Sequence, residues 1–94
     1  MMPRFEEFEL TESAYRHGFD DEDFGEMLRG PHIFIRSRRG KRAGYEILGL
    51  GGGGVYLLAA ARVVQGEEKK RLRVFHVNLM TAAEKRRFRR MVQR

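Results

Sequence analysis

The Gly30-Pro31 pair divides the chain into two parts with different hydrophobic patterns. Before the pair, Phe24, Met27 and Leu28 repeat at the spacing of one helix face. Glycine commonly follows the last turn of a helix, and proline cannot continue one because it lacks a backbone N–H. The pair therefore predicts a helix that ends near it and a different architecture beyond it.

Two short helices are predicted in the N-terminal part. Thr11 and Asp20 are N-cap candidates, because their side-chain oxygens can accept hydrogen bonds from the first helical N–H groups. Gly18 ends the first helix between them. Residues 4–10, RFEEFEL, alternate imperfectly and leave room for a short extra strand at the N-terminus.

Four strands are predicted after the pair, separated by the polar or glycine-rich segments SRRGKR, GGGG and QGEEKK. Short connections of this kind join antiparallel neighbours. The alanines at 59–61 are compatible with a helix, but Val55, Val63 and Val64 favour a strand. The predicted strands are 32–36, 43–50, 55–64 and 72–78.

A final helix is predicted after the last strand. Thr81 and Glu84 have the spacing of a capping box, in which each side chain binds the other residue's backbone N–H. Phe88, Met91 and Val92 form a narrow apolar stripe, and basic residues cover most of the remaining surface. This helix is therefore expected to contact the sheet along a narrow stripe.

These elements predict an α+β fold in one domain, residues 1–94. It consists of two short N-terminal helices, a four-stranded mostly antiparallel sheet and a C-terminal helix. The absence of cysteine excludes a disulfide framework and fits a reducing compartment. The first ten residues have no signal-peptide h-region, so a cytoplasmic location is expected.

Charge is distributed unevenly along the chain, whose net charge is +6. Residues 1–30 carry nine acidic and three basic residues, whereas residues 69–94 carry ten basic residues and one acid, Glu84. This polarity indicates a basic face for a polyanion, although basic tails are often only solvated surface.

Several classes of chemistry have no support in the sequence. The three histidines are scattered, so no metal-ligand spacing is present. Ser13 and Ser37 lack a nucleophile-elbow setting. The stretch Gly49–Gly54 formally contains G-x-G-x-x-G, but it lacks a βαβ unit and is interpreted as a flexible connection between strands. No cofactor is predicted.

The remaining candidates are cationic, and RNA cleavage can use such groups. RNA supplies its own nucleophile, the 2′-OH, so the protein must orient it, stabilise phosphoryl charge and assist proton transfer. Arginine suits the phosphate and a histidine such as His76 suits proton transfer. In the alternative interpretation the arginines only contact phosphates and His76 is structural.

The order and spacing of five segments resemble the BrnT family of bacterial type II toxins. The family has a His-Gly pair before an acid-rich helix, a strand with a Leu-Gly pair, and a last strand followed by Thr and Glu-Arg-Arg. The matching segments are HGFDDEDF (17–24), LRGP (28–31), GYEILGL (44–50), YLLAAARVV (56–64) and RVFHVNLMTAAEKRRFRR (73–90).

The resemblance implies a RelE/ParE-like fold and a ribonuclease that inhibits translation by cutting RNA without a metal ion. It also implies a DNA-binding, BrnA-like antitoxin in a hetero-oligomer that binds operator DNA. The site residues expected for catalysis are His17, Arg42, Arg62, Arg73 and His76. Those expected to bind RNA are Arg36, Arg38, Arg39, Lys41, Lys85, Arg86 and Arg89.

One stretch departs from the family pattern. The family's last strand commonly ends in Ser-Ala-Arg, where this chain has His76, Val77 and Asn78. Histidine then stands in place of serine, and asparagine in place of arginine. These replacements either change which residue transfers the proton or weaken catalysis. A non-catalytic nucleic-acid-binding or antitoxin-binding module is therefore the alternative.

Overall fold

The computed structural model describes residues 4–39 and 42–93, and the side chains of His17, Arg38, Arg39, Arg42 and Ala43 lie outside that description. The strands pair in the order β1-β5-β4-β3-β2. The elements are β1 (Glu7–Leu10), a 3-10 helix (Glu12–His17), α1 (Asp21–Arg29), β2 (His32–Arg39), β3 (Arg42–Leu50), a second 3-10 helix (Gly52–Gly54), β4 (Tyr56–Gln65), β5 (Lys70–Leu79) and α2 (Ala82–Val92).

Strands β2 to β5 form successive antiparallel hairpins, and β1 adds to β5 in parallel. The register of β1 matches acids with bases, since Glu7 lies opposite Arg71 and Glu9 lies opposite Arg73. Both pairs form ion pairs, with Nε–Oε1 distances of 2.5 and 2.9 Å. Exposed pairs contribute little energy each, but a slip by one residue would break both and turn Phe8 and Leu10 away from the core.

The predicted fold class is therefore wrong. Two N-terminal helices and a four-stranded, mostly antiparallel RelE/ParE-like sheet were expected, whereas the sheet has five strands and is mixed. The first predicted helix is a 3-10 helix, and Thr11 makes no side-chain cap to it. The physical reason is that local alternation does not identify a strand's partner, and β1 finds its partner more than 60 residues later, in β5.

The caps predicted for the two α-helices are confirmed. Asp20 accepts from the backbone N–H of Asp23, whose carboxylate accepts from that of Asp20. Thr81 and Glu84 make the corresponding exchange at α2. Across residues 4–39 and 42–93, no helix is long and apolar enough to cross a bilayer.

The sheet buries both of its faces to different extents. On the core face, α1 contributes Phe24 and Met27 to a cluster that includes Leu57, Ala59 and Ala61 of β4. On the other face, which we call the α2 face, Phe88 packs with Leu48, Met80 and side chains of β2, β3 and the first half of β4. The second half of β4 and all of β5 lie outside that second cluster.

The glycine-rich segment connects β3 to β4, as predicted. Gly53 and Gly54 have φ angles of 73° and 76°, in the left-handed region that side chains with a Cβ rarely adopt. The turn closes through a hydrogen bond from the backbone N–H of Gly51 to the carbonyl of Val55. Glycine is therefore required here by backbone geometry.

Candidate functional site

A β-bulge in β5 determines which side chains reach the α2 face. Ala61 pairs with Val74, but the preceding Ala60 pairs with His76, so Phe75 is an extra residue on β5. Strict alternation would put His76 on the same face as the buried Val74. The bulge instead turns His76 towards the α2 face, where Phe75 also lies. Bulges of this kind often re-aim side chains beside functional sites.

Two arginines lie directly opposite each other next to the bulge. Arg62 of β4 pairs in register with Arg73 of β5. Like charges directly across a sheet are destabilising, so this pairing favours binding of an anion between or above them. Arg73 is offset by Glu9, whereas the guanidinium of Arg62 lies over the ring of Phe75, 5.5 Å from its centroid.

His76 and Asn78 form the next part of the site. The side-chain amide of Asn78 hydrogen-bonds Nε2 of His76, and both residues are half-buried. Asn78 lies opposite Leu58, which packs against the α2 cluster. The asparagine that departs from the family pattern therefore contacts the histidine expected to transfer a proton.

A third set of site residues lies where α2 contacts the start of β4. Lys85 Nζ lies 5.7 Å from the centroid of the Tyr56 ring, and the Arg89 guanidinium lies 5.1 Å from it. Arg89 also donates a hydrogen bond of 3.3 Å to the Tyr56 hydroxyl. Phe88, between the two cations in sequence, stacks edge-on against Tyr56 and anchors the helix in the core.

These three groups form one row along β4 and β5, which we call the cationic strip. From Tyr56 to Arg62 the row is six residues of β4 long, or about 20 Å at the rise of an extended strand. It combines guanidinium and ammonium groups with two half-buried aromatic rings. That combination suits single-stranded nucleic acid, whose phosphates bind cations and whose bases stack on rings. The cationic strip consists of Tyr56, Arg62, Arg73, Phe75, His76, Asn78, Lys85 and Arg89.

Three of the five predicted catalytic residues, Arg62, Arg73 and His76, are thus brought together. His17 ends the 3-10 helix that packs through Ala14 on the core face, away from the strip. Arg42 opens β3 opposite Arg39, and its side chain lies outside the described part.

The predicted RNA-binding residues divide in the same way. Lys85 and Arg89 belong to the strip, and Arg86 is exposed on α2. Arg36 is exposed on the core-face side of β2, because it is two residues from Phe34, which packs in the core cluster. The side chains of Arg38 and Arg39, and all of Lys41, lie outside the described residues.

Tyr56 and Phe75, the aromatic members of the site, were not among the predicted site residues. Tyr56 could have been found from its alternation with Leu58, Ala60 and Arg62, since these four residues share one face of a strand. Phe75 carried no such signal, because only the bulge brings it beside Arg62.

One other feature lies apart from the strip's centre. A shallow groove beside the β4–β5 turn carries charges of both signs, and Arg73 is the strip residue that borders it. Its charged lining residues are Glu7, Glu67, Glu68, Lys69, Arg71 and Arg73. Among the described residues, no group of three His, Cys, Asp or Glu side chains could hold a metal ion.

Comparison with known proteins adds no assignment. No model of a protein family matches the chain, and no curated protein sequence matches it.

Proposed function

We propose that this chain is a ribonuclease toxin of a type II toxin–antitoxin system, as its resemblance to BrnT toxins predicts. The observation that carries the proposal is the bulge in β5, which puts His76 on the same face as Arg62 and Arg73. Without it, the proton-transfer group and the phosphate-binding groups would lie on opposite faces of the sheet. RNA binds along the cationic strip, and cleavage occurs beside His76.

The chemistry uses the 2′-OH of RNA as the nucleophile on the adjacent phosphate. The guanidinium of Arg62 binds the phosphoryl oxygens and stabilises the charge that develops on them. The rings of Phe75 and Tyr56 stack on bases on either side of the phosphate, which fixes the strand along β4. Cutting messenger RNA in this way inhibits translation.

The purified protein tests this proposal with a single-stranded RNA oligonucleotide. We expect products that end in a 2′,3′-cyclic phosphate, and we expect His76→Ala and Arg62→Ala to lose cleavage while melting like the wild type. Arg36→Ala is the matched control, because it removes an exposed arginine from the other face of the sheet. If the wild type cuts no RNA, with or without ribosomes, the ribonuclease proposal fails.

A cognate BrnA-like, DNA-binding antitoxin is part of the same proposal. Its acidic or apolar segment covers the cationic strip, and the complex binds operator DNA through the antitoxin. Expression of the toxin alone should arrest growth, and a neighbouring antitoxin gene should restore it.

A second candidate function is a non-catalytic module of this fold that binds nucleic acid or an antitoxin. The ion pairs of Arg71 and Arg73 with β1 favour it, because they already engage two guanidinium groups, and Arg73 is one of the predicted catalytic residues. The hydrogen bond that Arg71 donates to Glu7 also raises the pKa of that guanidinium above its ordinary value. RNA binding that weakens steeply with salt, without cleavage, identifies this alternative.

A further inference from the structure

A carboxylate lies in the same row as His76 across the sheet. Glu46 of β3 pairs with Ala60 of β4, and Ala60 pairs with His76 of β5. Glu46 precedes Ile47, which is fully buried on the core face, so its own side chain projects towards the α2 face. Glu46, Ala60 and His76 therefore form one line on the face that carries the cationic strip.

The small side chain of Ala60 leaves room between the two outer residues. Neighbouring strands are about 4.8 Å apart, so the Cα atoms of Glu46 and His76 are separated by roughly 10 Å. Only a methyl group fills the sheet surface between them. A phosphodiester above Ala60 would have a carboxylate on one side and an imidazole on the other.

The carboxylate of Glu46 forms no ion pair with the described side chains. Among the side chains that the structure describes, the two ion pairs are made by Glu7 and Glu9. Glu46 is half-buried and lies beside Ile35 on β2, which offers no charge. A half-buried acid that forms no ion pair with the described side chains, in line with a histidine, fits a role in proton transfer.

We propose that Glu46 is the second proton-transfer group of the ribonuclease, and the inference rests on the function proposed above. The Glu46 carboxylate removes the proton of the 2′-OH as the 2′-oxygen bonds to phosphorus. The bond from phosphorus to the 5′-oxygen breaks, and the imidazolium of His76 gives that oxygen its proton. The products are a 2′,3′-cyclic phosphate and a 5′-OH end, and water returns the proton from Glu46 to His76.

The charged side chains described around this row are those of the strip, whereas the side chains of Arg39 and Arg42 lie outside the description. Arg62 lies two residues after Ala60 on β4, and Arg73 lies across from Arg62. On α2, Lys85 and Arg89 lie at the Tyr56 end of the same face. Arg62 binds the cleaved phosphate and the other cations bind the phosphates on either side of it, which leaves the two proton-transfer groups at the centre.

The isosteric variant Glu46→Gln tests the inference through the pH dependence of kcat/KM on RNA. A general base contributes about 10²- to 10⁴-fold, and we expect a loss of that size together with loss of the acidic limb of the profile. His76→Ala should remove the basic limb. Glu67→Gln, in the exposed β4–β5 turn, is the control and should match the wild type.

A substrate with a 4-nitrophenol leaving group separates the two roles, because that group departs without a proton. It should restore most of the activity of His76→Ala but not that of Glu46→Gln. Cleavage by Glu46→Gln at the wild-type rate and profile overturns the inference while leaving the ribonuclease function intact. If the 4-nitrophenol substrate restores Glu46→Gln rather than His76→Ala, the assignment of Glu46 as the base is overturned. A wild type that cuts no RNA refutes the function itself.

Discussion

The side-chain amide of Asn78 binds Nε2 of His76 two residues earlier on β5. An amide N–H donor requires an unprotonated Nε2, which places the proton of the neutral ring on Nδ1. A rotated amide would present its oxygen to an imidazolium instead. Asn78 can therefore hold the ring in both of the forms that a proton-transfer cycle needs.

Asn78→Ala should reduce kcat on RNA by about 10- to 100-fold with little change in KM, because misplacing a catalytic group by about 1 Å has effects of that size. Asn78→Asp should keep the contact and move the basic limb of the pH–rate profile to higher pH, since a carboxylate favours the imidazolium. Steady-state kinetics across pH provide the measurement. A change in KM alone would assign Asn78 to substrate binding.

RNA binding should depend on the residues of the cationic strip rather than on the total charge of the chain. For single strands, the logarithm of the binding constant falls with the logarithm of salt concentration with a slope of about 0.7 per phosphate contact. Arg62→Ala and Lys85→Ala should each reduce that slope by about 0.7, the value of one phosphate contact. Arg36→Ala should leave it unchanged, and equal effects at all three positions would show that binding is not confined to the strip. Fluorescence anisotropy from 50 to 300 mM salt measures the slopes.

Phe88 should be the residue that attaches α2 to the sheet. Its side chain is 2% exposed, whereas that of Val92 on the same helix is 39% exposed. Phe88→Ala should lower the free energy of unfolding by about 3–5 kcal/mol, and Val92→Ala should have a much smaller effect. Urea unfolding followed by circular dichroism measures both. Similar losses in the two variants would contradict the described packing.

Two glycine-to-alanine substitutions should have opposite effects on stability. A Cβ on Gly25 in α1 would lie 3.4 Å from its nearest neighbour, an ordinary contact, so the gain in helix propensity should stabilise the protein by up to about 1 kcal/mol. A Cβ on Gly49 would lie 2.5 Å from Cγ of Met27. Gly49→Ala should therefore destabilise by about 1–3 kcal/mol. Thermal melts of both variants provide the comparison.

Acid should weaken the cap of α1. The hydrogen bond from the backbone N–H of Asp23 lowers the pKa of the Asp20 carboxyl below its ordinary value. A group with a lowered folded pKa stabilises the protein above its unfolded pKa, about 3.9, and loses that contribution as pH falls through the folded value. Asp20→Asn keeps a capping oxygen without the charge, so its melting temperature should fall less steeply below pH 4. Parallel profiles would contradict this assignment.

Local signals in the sequence predicted much of the element order. The Gly30-Pro31 pair, the N-cap at Asp20 and the Thr81-Glu84 capping box all operate within one helical turn. Such signals depend on residues that are close in sequence, and the structure confirms both caps. The 3-10 helix is the exception, because Thr11 uses its hydroxyl to contact Ser13 rather than to cap.

The partner of β1 could not be predicted in the same way. Its glutamates alternate like those of any short solvent-facing segment. Their ion-pair partners are arginines that lie 64 residues later in the chain. Pairing over that distance is decided by which register satisfies the charges and buries the apolar side chains together. This is why the predicted four-stranded sheet became a five-stranded mixed sheet.

By itself, the sequence determined the boundaries of α1 and α2, the succession of hairpins and the identity of the cationic and histidine side chains, because these depend on local spacing and composition. Only the tertiary structure decided which of those side chains meet. One extra residue opposite Ala60 turns His76 out of the core and towards Arg62, and cross-strand register then places Glu46 in the same row. A bulge arises from the fit of two strands to each other, so neither strand's own pattern contains it.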